Sequence, residues 1–130
     1  MRLLLDTHIL LAMFEEGDVS LPARYVELLG DPDCELLAST ASIWEIALKV
    51  RNGRLGLGMA LSALPDACRA VGVDLLVIAP QHVLAVVTPE PSTRDPFDRL
   101  PLAQAQCEGM GLLTLDRALV QHRLAWTDGG

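Results

Sequence analysis

The chain is predicted to fold as an α/β domain, with a mostly parallel sheet of four to five strands covered by helices on both faces. Three observations carry this. Short apolar runs of strand length recur without alternation, the pattern of strands buried on both sides. Amphipathic stretches of helical length separate them. The 130 residues are 51% hydrophobic and 21% charged, enough for a core without disulfides. Strands alternating with helices imply right-handed crossovers and a parallel sheet.

The elements follow in order. Arg2–Asp6 reads as a buried strand, since Leu3, Leu4 and Leu5 run together and an acid stops them. Thr7–Phe14 reads as a helix with an apolar face of Ile9, Leu10, Ala12 and Met13. Glu15-Glu16-Gly17-Asp18 is a polar break. Pro22 opens a second helix, because proline is tolerated at the first helical position, and Gly30-Asp31-Pro32-Asp33 ends it. Glu35–Ala38 is the second strand. Ser39-Thr40-Ala41-Ser42 then offers caps to a helix whose Ile43, Ile46, Ala47 and Val50 share one face. Asn52-Gly53 closes that helix. A further helix is expected over roughly Gly58–Val71, a third strand over Val73–Ile78, and a short helix from Pro80 to about Val87.

Thr88–Pro96 holds three of the eight prolines and no periodicity, so it reads as a loop. Pro96-Phe97-Asp98 leads into a helix carrying Leu102, Ala103, Ala105 and Cys107, closed by Gly109 and Gly111. Leu112–Leu115 is the fourth strand. Asp116–Gln121 reads as a short helix and Leu124–Trp126 as a last strand.

One domain of ordinary size is expected. No apolar run reaches the roughly 18 residues that span a bilayer. An acid at position 6 leaves no room for a signal-peptide core, so a cytoplasmic location is expected. Cys34, Cys68 and Cys107 form no C-x-x-C pair, and free, mostly buried thiols are expected rather than zinc. The net charge of −7 argues by itself against a nucleic-acid partner. Nine of the ten basic residues are Arg, however, and Lys49, Arg51, Arg54, Arg94, Arg99 and Arg117 flank the acidic motifs. Arg suits bidentate phosphate contacts.

Four acids stand out: Asp6, Glu45, Asp98 and Asp116. Asp6 and Asp116 end apolar strand-like runs, and parallel sheets bind ligands beyond their strands' carboxyl ends. Each acid also has a local explanation. Asp6, Asp98 and Asp116 could cap helices. Glu45 precedes Lys49 by four residues, the favourable orientation for a helical ion pair. Asp95 competes with Asp98. Asp98, Leu102 and Ala105 stack on one helical face, which favours Asp98 for the inward position and leaves Asp95 in the loop. If the four converge, their mutual repulsion calls for a hard cation ligated by oxygen.

Leu4-Leu5-Asp6-Thr7-His8, Ser42-Ile43-Trp44-Glu45-Ile46, Arg94-Asp95-Pro96-Phe97-Asp98-Arg99 and Leu113-Thr114-Leu115-Asp116-Arg117 together resemble the PIN domain. More narrowly they resemble the VapC-type toxin ribonucleases of type II toxin–antitoxin systems. The order and spacing match over nearly the whole chain. The resemblance implies a single PIN domain over residues 1–130, folded as a three-layer α/β/α sandwich around a central parallel sheet. It implies Mg²⁺, or Mn²⁺ as a substitute, held directly by Asp6 and Asp98, with Glu45 and Asp116 binding directly or through water. Thr7, Ser42 and Thr114 fall where the family places hydroxyls near the site. Lys49, Arg51, Arg99 and Arg117 are candidates for RNA phosphates. Two departures are Pro101, where an aliphatic residue is usual, and Ala12, where a tryptophan is common. With Pro101 in a first helical turn, the helix is expected to begin just after Phe97.

The implied reaction is endoribonuclease hydrolysis of an RNA phosphodiester, with the ion activating water and an acid taking its proton. The implied partners are RNA, a small cognate VapB-like antitoxin and a second copy of the chain. The antitoxin would reach the acids with an arginine. Leu10, Leu11, Met13 and Phe14 are candidates for a partner surface, though most are expected to pack in the core. Aspartyl-phosphate chemistry fits poorly. His8 stands where a second Asp is wanted, and the only lysine, Lys49, is too early for a phospho-receiver. A non-catalytic PIN-like binding module is the remaining alternative, and calorimetric titration with Mg²⁺ or Mn²⁺ would separate it. His8, His82 and His122 are expected at the surface or behind the acids, and none as a metal ligand.

Overall fold

The structure is a computed structural model that describes residues 1–14 and 21–129. The polar break expected at residues 15–18 lies outside them. Four strands form one parallel sheet: β1 (Arg2–Leu5), β2 (Glu35–Ser39), β3 (Val73–Leu76) and β4 (Gly111–Leu113). Their order is β3-β2-β1-β4. The chain builds outward from β1 through β2 to β3, then crosses back to lay β4 on the other side of β1. The strand order therefore reverses between β1 and β4, the position where parallel sheets open a crevice at their carboxyl edge.

Alternation along each strand splits the core in two. Leu3, Leu5, Leu36, Ala38 and Leu113 point to one face. There they meet Ile9 and Leu10 of α1 (Thr7–Phe14), Leu28 of α2 (Ala23–Gly30), Ile46 of α3 (Thr40–Arg51), and Leu64 and Cys68 of α4 (Leu64–Ala70). Leu4, Leu37 and Leu112 point to the other face, against Leu102, Ala103 and Ala105 of α6 (Pro96–Glu108). This is the three-layer α/β/α arrangement, and it explains why the strand runs lack alternation. Leu3, Leu4 and Leu5 all have zero exposure because both faces are covered. No described helix is long and apolar enough to cross a membrane. Leu10 is fully buried, and Leu11, Met13 and Phe14 pack against the first core.

Several boundaries differ from expectation. The helix expected over Gly58–Val71 starts later, as a 3₁₀ turn at Leu61–Ala63 followed by α4. Pro65 lacks the N–H that would carry an α-helix through this point. α5 (Pro80–Leu84) ends three residues short of Val87, because Ala85 turns extended and Val87 enters the second core. β3 stops at Leu76, and the N–H of Ile78 goes to the Thr40 hydroxyl at 3.3 Å. α6 begins at Pro96, not after Phe97, and Pro101 sits inside it. The Asp95 carboxylate caps α6 by accepting from the Phe97 N–H at 2.9 Å, which fixes the earlier start. Gly109 ends α6 at φ 68°, which glycine adopts without strain, whereas Gly111 belongs to β4.

The last two elements are smaller than expected. Asp116–Gln121 is a series of turns rather than a helix. The Asp116 carbonyl accepts from the N–H groups of Leu119 and Val120, and the chain then bends away. The expected strand at Leu124–Trp126 contributes a single parallel bridge, Leu112 with Ala125. His82 is buried, contrary to expectation. Its Nδ1 accepts from the Ala79 N–H at 2.9 Å, so its Nε2 carries the proton toward Glu108, 3.1 Å away. That pair fastens α5 to α6. The three cysteines are free, but Cys107 is exposed rather than buried.

Candidate active site

Asp6 leaves β1 at the crevice. Its N–H donates to the Leu113 carbonyl, and its own carbonyl accepts from Ile9 and Leu10, which starts α1. The Asp6 carbonyl thus serves the first turn of α1. Asp6 is only 5% exposed. Oδ1 accepts from the Thr7 N–H at 2.9 Å, and Oδ2 accepts from the Thr114 hydroxyl at 2.6 Å. Burial raises the Asp6 pKa above its ordinary value. The Thr114 hydrogen bond, the nearby His8 and the Thr7 N–H oppose the rise, and Glu45 adds to it. His8 Nε2 accepts from the Leu115 N–H, so the ring proton sits on Nδ1, 3.6 Å from Asp6 Oδ2.

Thr114 joins two of the acids. Its hydroxyl donates to Asp6 and accepts from the Asp116 N–H at 3.0 Å. Asp116 Oδ1 in turn accepts from the Ala118 N–H at 2.9 Å, which shapes the turn after β4. Thr114→Val keeps the shape but strands a buried carboxylate oxygen and an N–H. The expected loss is about 1–3 kcal/mol in urea denaturation, the cost of leaving such groups unpaired. Thr7 donates to Ser42 at 2.9 Å, and both are buried. That bond ties the first turn of α1 to the first turn of α3, behind Asp6 and Glu45.

Asp98 lies in the first turn of α6 and is half-buried, whereas Asp95, the cap, is exposed. Its Oδ2 accepts from the Thr93 hydroxyl at 2.9 Å. Burial pushes its pKa up to about 6. The Thr93 hydrogen bond works against this, while Asp95, Asp116 and Asp6 push further in the same direction. Asp98 therefore feels Asp6 and Asp116, and Asp6 feels Glu45. Residues from four distant segments share one electrostatic site.

The raised pKa has a consequence for stability. Below the ordinary value of 3.8 the Asp98 carboxyl is protonated in both folded and unfolded chains. As pH rises toward about 6, the unfolded chain ionises more readily and the folded state loses ground. Without divalent ions, Asp98→Asn is expected to become more stable than the parent across this interval. The gain is about 1–2 kcal/mol once solvent screening of a half-buried group is allowed for. Thermal unfolding of both proteins in EDTA at pH 4 to 7 reads this difference directly.

Glu45 is half-buried on α3, and its Oε2 lies 3.2 Å from the Lys49 ammonium. The ion pair read from their spacing is present, and it places Lys49 at the site's rim. Arg99 is tied inward, donating to the Thr93 carbonyl at 2.9 Å and to Glu90, so it braces the loop that carries Thr93. Arg51 and Arg117 are exposed. Two contributors escaped the sequence reading. Thr93 lies in the proline-rich loop, where only its position two residues before Asp95 hints at a local hydroxyl turn. Tyr25 donates from α2 to the Thr114 carbonyl at 3.1 Å, and no local pattern marks it.

Among the described residues, no three His, Cys, Asp or Glu side chains are grouped tightly enough to enclose a metal ion. The donor set is nevertheless all carboxylate, with Asp6 and Asp98 raised by burial first and by neighbouring acids second. Such a set fits a hard cation that keeps most of its waters and takes only one or two direct carboxylates. A cavity of about 390 Å³ lies away from the acids, lined largely by Val83, Val86, Val87, Leu100 and Ala103. A cleft of about 250 Å³ does touch the site, with Glu45, Lys49, Arg54, Asp95 and Phe97 in its walls.

A parallel three-layer domain with acids at its carboxyl-edge switch point has the architecture in which α/β proteins bind ligands at the crevice beyond their strands. The family profile of the PIN domain matches residues 3–125, and the chain belongs to the PIN domain family. PIN domains are a nuclease-type family and typically use divalent metal ions. A comparison with curated proteins returned no match.

Proposed function

We propose that the protein is a Mg²⁺- or Mn²⁺-dependent endoribonuclease, the VapC-type toxin of a toxin–antitoxin pair. One observation supports the enzymatic reading above the others: at the sheet's switch point the Thr114 hydroxyl links the buried Asp6 carboxylate to Asp116, with Asp98 close enough to be raised by both acids. Asp6 and Asp98 would hold the ion directly, with Glu45 and Asp116 completing the cluster directly or through water. When bound, the ion supplies an activated water and neutralises charge on the scissile phosphate. Thr114 fixes the Asp6 carboxylate, and Thr93 fixes that of Asp98. Glu45 or Asp116 takes the proton of the attacking water. Lys49, paired with Glu45, and the exposed Arg51 and Arg117 would meet phosphates, whereas Arg99 contributes by holding the Thr93 loop.

The test is cleavage of RNA by the purified chain with Mg²⁺ or Mn²⁺. Activity should vanish with EDTA and return with added ion. Cleavage that persists undiminished in EDTA would remove the metal from the scheme. The toxin role has its own test. Induced expression should arrest growth, and co-expression of a small protein encoded beside it should relieve the arrest. Growth unaffected by an active chain would leave a nuclease that is not a toxin.

A further inference from the structure

Trp44 is a large aromatic side chain left 56% exposed. It stands on α3 immediately before Glu45. Phe97 stands on α6 immediately before Asp98. Their rings meet edge to face, with centroids 5.2 Å apart and planes at 67°. The two helices that deliver two of the acids therefore also deliver a joined aromatic pair. An edge-to-face contact covers at most one face of either ring, so Trp44 keeps indole surface open to water.

The surroundings suggest what would cover it. Phe97 lines the 250 Å³ cleft together with Glu45, Lys49, Asn52, Arg54 and Asp95. Lys49, paired with Glu45 at 3.2 Å, and Arg54 are cations on the same walls, with Glu45 and Asp95 as the acids beside them. A π-face beside cations, at the rim of a carboxylate site, matches the two needs of a single strand: stacking for a base and charge for its phosphates. A duplex keeps its base faces stacked internally and offers none to an indole. The chain's net charge of −7 makes local cations the more necessary for any phosphate approach.

We propose that Trp44 is a stacking platform for an unpaired base of a single-stranded RNA substrate, with Phe97 bracing the ring and Lys49 and Arg54 meeting the flanking phosphates. RNA as the substrate rests on the ribonuclease reading above, but stacking itself is measured without cleavage.

Replacing Trp126 with Phe leaves Trp44 as the sole tryptophan, since the chain has two. The Trp126→Phe chain is titrated in EDTA with a single-stranded oligoribonucleotide and with a duplex of the same sequence. Trp44 emission should be quenched by the single strand and not by the duplex. Trp44→Leu, which keeps an apolar contact for Phe97, should weaken single-strand binding about 10–100-fold, the range of one lost stacking contact. Binding by this variant is followed with a labelled oligonucleotide. Trp44→Phe should recover part of the loss, and melting midpoints confirm that both variants fold. With metal present, Trp44→Leu should raise KM and leave kcat near the parent value.

Absence of quenching, equal quenching by duplex, or unchanged affinity and KM in Trp44→Leu would overturn the proposal. So would a ring that responds only to a bound protein partner. Quenching without any RNA cleavage would keep the platform and defeat the ribonuclease reading. Cleavage with an indifferent Trp44 would do the reverse.

Discussion

Asp6→Asn and Asp98→Asn are each expected to lower RNA cleavage at saturating Mg²⁺ by at least about 100-fold. An oxygen ligand that carries charge contributes several kcal/mol to metal-assisted chemistry, and about 3 kcal/mol is a factor of 100. The two side chains are nearly isosteric: Asp98→Asn keeps an oxygen for the Thr93 hydroxyl, whereas Asp6→Asn also replaces one of the two oxygens that accept from Thr7 and Thr114. Asp98→Asn also relieves a carboxyl whose pKa is pushed to about 6 by burial and by Asp95, Asp116 and Asp6. Loss of activity should therefore accompany a gain in metal-free stability. Unfolding and initial cleavage rates, measured on the same preparations, separate this outcome from simple damage. Unchanged cleavage in both variants would sink the site assignment.

Leu5→Ala is expected to cost about 2–5 kcal/mol, the range for deleting a fully buried leucine. Leu5 has zero exposure and lies in register with Ala38 on one side and Leu113 on the other. Both partners belong to the same core face, so the cavity would open at the centre of the sheet. Leu5 also immediately precedes Asp6, and cleavage should fall together with stability. Urea denaturation measures the first effect. Leu115→Ala, at a side chain 38% exposed, is a suitable control and should stay within about 0.5 kcal/mol.

The strands were legible because their signal is local. Leu3-Leu4-Leu5 and Leu112-Leu113 are apolar at every position, and a two-faced sheet demands that pattern. The acids were legible for a related reason: Asp6 and Asp116 interrupt such runs where a ligand crevice belongs. Helix phase favoured Asp98 over Asp95 for the inward position, and Asp98 is half-buried where Asp95 is exposed. Asp95 is not idle in the loop; it caps α6 and so moves the helix start to Pro96. The end of the chain was poorly legible because distant partners decide it. Arg117-Ala118-Leu119-Val120 would suit a helix, and the first turn does form. The backbone of Leu124 and Trp126 then bonds to Leu112, and His122 Nδ1 takes the Leu124 N–H, which draws the chain back to the sheet. Tertiary pairing overrides propensity there. Thr93 and Tyr25 were invisible for the same reason, since each acts on a residue that only the fold brings near.

The Thr114–Asp6 hydrogen bond spans 108 positions of sequence. Synthesis runs from the amino end, so Asp6 leaves the ribosome long before the strand that supplies its hydroxyl partner. Until β4 inserts beside β1, neither Thr114 nor Asp116 is in place and the crevice has only one wall. For most of its synthesis the nascent chain thus holds Asp6 without its hydroxyl partner. The crevice is complete only when β4 docks beside β1, and a chain cut short before that strand carries Asp6 and Glu45 without Thr114 and Asp116.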